Sequence, residues 1–220
     1  MAEDVEINQK IATEMLQLLD FEVEIAENGA VAFQKYKSGS HVLVFMDCQM
    51  PVLDGFEATI KIREFEKQNG LPSIPIIALT AGINAEDKER CLNSGMDDYL
   101  TKPFSISELR ESILKLDKRI QSRVEHNEFQ KESFLTSNQE KIKPIALDSE
   151  IFNMRAINNI REVEQQTGRT LIPSILDGFT NQMHQKLAEI TLNFKDGDHE
   201  KIYRTAHAIK SMSANIGAEK

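Results

Sequence analysis

A carboxylate, Asp47, ends the unbroken apolar run Val42-Leu43-Val44-Phe45-Met46. Such a run marks a strand buried on both faces, and the carboxyl ends of interior strands form the rim where open α/β sheets bind ligands. A lone Asp there ordinarily ends a strand or caps a turn. Its company changes that reading. Ile74 to Thr80 (IPIIALT) is a second buried run, ending in a hydroxyl, and Lys102 follows the short strand Tyr99-Leu100-Thr101. Parallel strands point the same way, so Asp47, Thr80 and Lys102 share one rim. Glu3-Asp4, just before the first helical stretch, joins them there. Three carboxylates brought together repel one another and call for a cation. Mg²⁺ suits them, being a hard ion that takes few carboxylates and keeps positions open for water and phosphate oxygens. A carboxylate can also act as a covalent nucleophile toward phosphorus. Lys102 and the Thr80 hydroxyl would then stabilise charge on the transferring group.

The elements that must position these groups follow from periodicity. Ile7, Ile11, Ala12, Met15 and Leu19 recur at helical spacing, and Phe21 to Ile25 (FEVEI) alternates as a strand. Glu27-Asn28-Gly29 turns into a helix through Tyr36. Asp54 and Glu57 open a helix that runs to about Lys67. Asn84 caps another, running to about Asn93 and stopped at Gly95. Ser105 and Glu108 form an S-x-x-E capping box ahead of Ile106, Leu109, Ile113 and Leu116. Strands and helices alternate strictly, which predicts a parallel sheet covered on both sides.

Charge divides the chain. Residues 1–116 hold 11 Lys+Arg against 20 Asp+Glu, a net of −9, whereas residues 117–220 hold 15 against 15. The whole excess sits in the first part, which predicts two units of different character. Neither an acidic unit nor a neutral one carries an electrostatic footprint for nucleic acid. No apolar run approaches the ~20 residues that span a bilayer, and MAEDVE is acidic where a signal peptide is basic. Cys48 and Cys91 are too few for a disulfide framework and fit a reducing cytoplasm. Residues 117–147 lack an apolar period and read as a linker, helical only where the preceding helix runs on. From Asp148 every element reads as a helix: about Ser149 to Gln166, closed by Gly168; a second through Ile172, Ile175, Leu176, Phe179, Met183, Leu187, Ile190 and Phe194, ended by Gly197; and a third from Asp198 burying Ile202, Ala206, Ile209, Ser213 and Ile216. On that third helix His207 lies one step off the apolar seam, with Tyr203, Lys210 and Ala214 on its flank.

Residues 3–116 resemble a response-regulator receiver domain. The resemblance rests on the acidic pair Glu3-Asp4, the D-x-x-M-P-x-x-D-G loop from Asp47 to Gly55, the A-L-T-A segment from Ala78 to Ala81, and Lys102-Pro103. It implies that Asp47 is the phosphoacceptor, and that Glu3 and Asp4 hold Mg²⁺ together with the backbone carbonyl of Cys48. It also implies that Thr80 and Tyr99 are switch residues, that Lys102-Pro103 is a cis peptide, and that the fold is flavodoxin-like with strand order 2-1-3-4-5. The stretch Ala206 to Ala218 (AHAIKSMSANIGA) resembles the phosphoacceptor helix of a histidine phosphotransfer (HPt) domain. By that resemblance His207 carries a phosphoryl group, Lys210 interacts with it, and the small Ser211, Ser213 and Ala214 admit a partner receiver. Ser211 stands where the family more often has Gly. The resemblances divide the chain into a receiver (1–116), a linker (117–147) and an HPt helical bundle (148–220). Together they imply a cytoplasmic phosphorelay module, as at the C-terminal end of hybrid sensor kinases. A histidine kinase or HPt protein would be its phosphodonor and a downstream receiver its further partner.

Other readings are weaker. A haloacid-dehalogenase-type phosphatase needs a second acid two residues after the nucleophile, where Gln49 stands, and an autokinase needs a glycine-rich phosphate loop, whereas no G-x-G occurs. An inactive or sink-type interaction module is the alternative from a different class. Only Met1-Ala2 precede Glu3 where a receiver has a hydrophobic strand, and only three residues follow Gly217 where an HPt bundle continues into a fourth helix. The sequence therefore predicts a fragment with its first strand largely missing and its last helix missing. Its second and third C-terminal helices are expected to be partly bare, and its stability alone to be weak.

Overall fold

Pro75 cannot donate to a ladder, so the second buried run pairs only from the residue after it. The computed structural model describes residues 1–82, 85–116, 118–121 and 153–218. In it β1 is Val44–Asp47, β2 is Ile76–Thr80 and β3 is Asp98–Thr101. They form a parallel sheet in the order β1-β2-β3, with Asp47 opposite Leu79 and Thr80 opposite Thr101. Ala2 adds a single parallel bridge to Met46 on one side and to Ala26 on the other. The spatial order 26–2–46–78–99 is thus the expected 2-1-3-4-5 arrangement, flavodoxin-like in its sequence of parallel neighbours.

Phe21 to Ile25 is not a strand. Its pairing is confined to Ala26 and the Glu24 carbonyl, and it makes no ladder. Val42 and Leu43 likewise stand outside β1 and are half-buried.

Alternation along the strands sends side chains into two cores. Phe45, Ile77 and Leu79 pack with α1 (Glu6–Gln17) and α5 (Ile106–Lys115). Met46, Ile76 and Ala78 pack with α2 (Gly29–Ser38), α3 (Gly55–Asn69) and Cys91 of α4 (Ala85–Ser94). Local signals set most helix ends. Asn28 and Asp54 cap α2 and α3 through their side chains, and Ser105 with Glu108 forms the full capping box of α5. Asn84 and Ser149, expected near helix starts, lie outside the described residues, as does nearly all of 117–147. Within that stretch residues 118–121 are helical and Ile120 is buried in the first core.

Three helices complete the described chain: α6 (Met154–Thr167), α7 (Ile172–Asp196) and α8 (His199–Asn215). Gly168 and Gly197 end α6 and α7 in the left-handed conformation, as expected. The buried face of α8 is not the expected one. Ile216 is buried as expected, but so are Thr205, Ala208, Ser211, Met212 and Ala214, whereas Ile202, Ile209 and Ser213 are half-buried and Ala206 is exposed. The face is rotated because α8 has three neighbours to satisfy, α6, α7 and the receiver-side α1, rather than one apolar seam. On α7 only Ile175 is fully buried, and Leu176, Leu187, Leu192 and Phe194 are exposed.

Helix α1 joins the two halves. Its Ile7, Ile11 and Met15 belong to the same apolar cluster as Ile160 and Val163 of α6, Ile175 of α7 and Ala208 and Met212 of α8. Its buried residues Ile7, Asn8, Ile11, Ala12, Met15 and Leu16 form a broad stripe that is covered from two directions. Here one side is the sheet and the other is the C-terminal helices.

Candidate functional site

The end of β1 carries Asp47 into a space with almost no solvent: Asp47 is 2% exposed, Glu3 0% and Lys102 4%. Gly55, the first residue of α3, abuts that end so closely that a Cβ there would stand 2.0 Å from the Asp47 carbonyl oxygen. Only glycine lets the loop return this near to the strand. The Asp47 carboxylate accepts from the Gln49 backbone N–H at 3.1 Å and from Lys102 Nζ at 2.6 Å. The same ammonium donates to Glu3 Oε2 at 2.5 Å. Glu3 Oε1 accepts from the Val5 N–H at 3.2 Å and from Asn8 Nδ2 at 2.9 Å. Glu3, Asp4 and Asp47 each offer an oxygen, and these oxygens all lie within 4.8 Å of one another. Sequence-predicted acids and lysine therefore converge.

Thr80 and Tyr99 are less closely involved. The Thr80 hydroxyl donates to the Gly82 carbonyl at 2.7 Å, within its own loop. Tyr99 is half-buried, with the Lys88 ammonium 5.6 Å from its ring centroid. The Cys48 carbonyl accepts the Gly55 N–H at 3.2 Å, which leaves its second lone pair for another partner. Lys102-Pro103 is a cis peptide.

Helix α8 crosses this rim. Ser211, 1% exposed, accepts from Asn8 Nδ2 at 2.9 Å and lies 3.5 Å from Lys102 Nζ. Asn215 Nδ2 donates to Asn8 Oδ1 at 2.6 Å, and Tyr203 Oη lies 3.5 Å from Gln49 Nε2. Residues four apart share one helix face, so 203, 207, 211 and 215 form one line. His207, half-buried, stands in that line between a contact to Gln49, two residues past Asp47, and a contact to Lys102, which binds Asp47. Lys210 is exposed. Sequence reasoning missed Asn8 and Gln49. Asn8 did leave a signal: it is a polar residue inside the stripe Ile7, Ile11, Ala12, Met15.

Residues 1–114 match the family described as the response regulator receiver domain. The chain belongs to that family. Among curated proteins, hybrid signal transduction histidine kinase B of Dictyostelium discoideum is 41% identical over 123 residues, covering 52% of this chain and 6% of that protein. The aerobic respiration control sensor protein ArcB of Escherichia coli (strain K12) is 28% identical over 217 residues, covering 99% of this chain and 25% of that protein. The chain therefore spans a minor part of the length of both relatives. Among solved structures, the co-crystal structure of the Saccharomyces cerevisiae histidine phosphotransfer signaling protein Ypd1 with the receiver domain of Ssk1 aligns at 42% identity and a TM-score of 0.49, covering 52% of this chain and 83% of that one.

Burial sets the electrostatics of the receiver's acids. It pushes the Glu3 carboxyl up to about 8, with the Asp47 charge adding to the rise and Lys102 opposing it. Burial likewise pushes Asp4 up to about 6, again reinforced by Asp47. For Lys102 burial disfavours the charge, but Asp47 and Glu3 outweigh it and hold the ammonium above the ordinary lysine value. Among the described residues Glu3, Asp4 and Asp47 share this rim with the Lys102 ammonium, and the ligand atoms these acids offer are all oxygens. Such a set fits a hard divalent ion. Among the described residues no helix is long and apolar enough to cross a membrane.

Proposed function

We propose that this chain is a phosphorelay module in which Asp47 accepts a phosphoryl group with Mg²⁺ present and His207 exchanges one. The observation that carries the reading is the bracketing of His207 by the α8 contacts on either side of Asp47. In this reading residues 1–116 are the receiver, 117–147 a linker and 148–220 an HPt unit. Glu3, Asp4, Asp47 and the Cys48 carbonyl are the residues that would hold the ion, which supplies neutralisation of phosphate charge. Lys102 orients the Asp47 carboxylate and offers its ammonium to a phosphoryl oxygen. A carboxylate oxygen of Asp47 attacks phosphorus. The new P–O bond forms as the donor's P–N or P–O bond breaks: a phosphohistidine donor releases a neutral imidazole that keeps the proton on its other nitrogen, and an acyl phosphate releases its carboxylate. Thr80 and Tyr99 take the switch role, the hydroxyl leaving the Gly82 carbonyl to meet the phosphoryl group. Lys210, exposed beside His207, screens the phosphoryl charge there. A histidine kinase or HPt protein supplies the group, and a downstream receiver removes it.

Labelling with a small acyl phosphate, with and without Mg²⁺, tests the reading. Alkali-labile label at Asp47 and alkali-stable, acid-labile label at His207 are expected, both lost in Asp47→Asn. Label on another carboxylate in Asp47→Asn would overturn the assignment.

A further inference from the structure

One buried amide ties the acidic cluster to the helix that carries His207. Asn8, 3% exposed, spends both of its donors and one acceptor position on this junction: one Nδ2 proton goes to Glu3 Oε1 at 2.9 Å, the other to Ser211 Oγ at 2.9 Å, and Oδ1 accepts from Asn215 Nδ2 at 2.6 Å. The amide orientation is fixed by chemistry, because reversing it would set an oxygen against the Glu3 oxygen and a donor against the Asn215 NH₂. Holding Oε1 leaves Oε2 as the Glu3 atom facing Lys102 and Asp47.

We propose that Asn8 is a positioning residue for phosphoryl exchange within the chain: its amide both aims the Glu3 carboxylate and sets the register of α8, so that His207 falls opposite Asp47. This deepens the phosphorelay reading and rests on it. Ser211 and Asn215 lie one and two helical turns beyond His207, so gripping both fixes rotation as well as position along the helix. The clamp also selects its partner helix. It requires a small hydroxyl four residues after the histidine and an amide eight residues after it. An aspartate at position 8 loses both donors and places a charge against Glu3. A glutamine is one methylene too long for the same three contacts. An apolar residue leaves Glu3 Oε1 with only the 3.2 Å bond from the Val5 N–H and Ser211 with only the 3.5 Å contact to Lys102, and under-paired buried polar groups are costly.

The test uses the 220-residue chain and two measurements. The first is single-turnover transfer from phospho-Asp47 to His207. Asn8→Ala is expected to slow it by about tenfold or more, as is Ser211→Ala, while the double variant is no slower than Asn8→Ala because both act through one bond. Effects that instead multiply, or an Asn8→Ala chain at the wild-type rate, overturn the clamp. Should Asn8→Ala fail to melt cooperatively, Asn215→Ala, which does not touch Glu3, is expected to slow transfer several-fold, and a wild-type rate overturns the proposal. The second measurement, small-angle scattering, needs no phosphate. Asn8→Asp is expected to convert the docked profile of the wild type to an extended two-body one. If the wild type docks and Asn8→Asp releases it, yet no transfer occurs in either, the clamp stands and the relay reading falls. If Asn8→Asp stays docked, the clamp falls.

Discussion

Lys102 Nζ lies 2.5 Å from Glu3 Oε2, and both side chains are sealed from solvent, the lysine at 1% and the glutamate at 0% exposure. The same ammonium reaches Asp47 at 2.6 Å, so one buried cation is shared by two of the three acids on the rim. Removing one partner of a buried ionic group leaves uncompensated charge, which costs about 3–5 kcal/mol. Lys102→Ala is therefore expected to lower the metal-free melting temperature sharply, and Mg²⁺ to recover much of the loss by neutralising the same oxygens. Acyl-phosphate labelling should remain low at saturating Mg²⁺, because the ion does not replace the ammonium on the phosphoryl group. Thermal melts with and without Mg²⁺ check the first part. An unchanged metal-free midpoint would contradict the shared-cation account.

The raised carboxyls of Glu3 and Asp4 give a signed pH dependence. Glu3 moves from 4.5 to about 8 and Asp4 from 3.8 to about 6 on folding, chiefly through burial. Between the unfolded and folded values the folded chain holds protons that the unfolded chain has released. Stability must therefore fall as pH rises through that window. The metal-free protein is expected to melt lower at pH 8 than at pH 5.5. Mg²⁺ binds the folded state and competes with those protons, so its stabilisation should be larger at pH 8. Glu24 and Glu108 have lowered values, so their contributions are lost only in more acid solution. A metal-free midpoint that climbs from pH 5.5 to 8 would show the acids to be ordinary.

Gly55→Ala probes how the loop returns to Asp47. The new methyl would stand 2.0 Å from a backbone oxygen, which cannot swing aside. Overpacking of this kind costs about 1–3 kcal/mol, and the displacement falls directly on the reacting residue. Loss of labelling is expected together with a lower denaturant midpoint. Gly70→Ala is the control, since its Cβ meets nothing and its φ of +63° costs only about 1 kcal/mol. Equal behaviour of the two variants would remove the close-approach argument.

The rim was legible in the sequence because a residue ending an apolar run has only one place to go: Asp47 and Lys102 met as expected, with Glu3 and Asp4 beside them. Helix ends at Gly168 and Gly197 were legible for the same local reason. What was not legible depends on partners distant in sequence. FEVEI alternates like a strand, yet alternation cannot supply a neighbour to pair with. The buried face of α8 was misplaced by about one residue because hydrophobicity alone ranks Ile209 above Ser211. In the structure Ser211 is buried and Ile209 only half-buried, since the space beside α1 is lined by Asn8 and Lys102.

That rotation is itself testable. Ala206 is exposed and Ala208 is buried against the shared apolar cluster. Ala206→Asp is expected to change stability by no more than about 0.5 kcal/mol. Ala208→Asp buries an unpaired charge and should prevent docking or unfold the bundle. Met212→Ala, at a fully buried site, should cost about 2–5 kcal/mol. Chemical denaturation of the three variants ranks them, and Ala206→Asp as the most damaging would restore the seam expected from hydrophobicity.

In the proposed relay, the docked arrangement makes exchange between Asp47 and His207 an intramolecular event. The 31 residues 117–147 join the two parts covalently, and covalent tethers give effective concentrations of about the millimolar scale when geometry permits contact. The contacts of Ser211, Asn215 and Tyr203 supply that geometry. Mixing Asp47→Asn chains with His207→Gln chains forces the same reaction to occur between molecules. At micromolar protein the mixture is expected to transfer at least about a hundredfold more slowly than the wild type, following the ratio of micromolar to millimolar concentration. Its rate should fall in proportion to dilution, whereas the wild-type rate should not. The His207→Gln chain still presents a docked α8, so its Asp47 is covered, which slows the mixture further. Deleting α6 to α8 from that Asp47-bearing chain should then speed transfer between the two, provided the shortened chain retains a cooperative melt. A mixture as fast as the wild type and indifferent to dilution would show that the tether and the docked helix contribute nothing to the exchange.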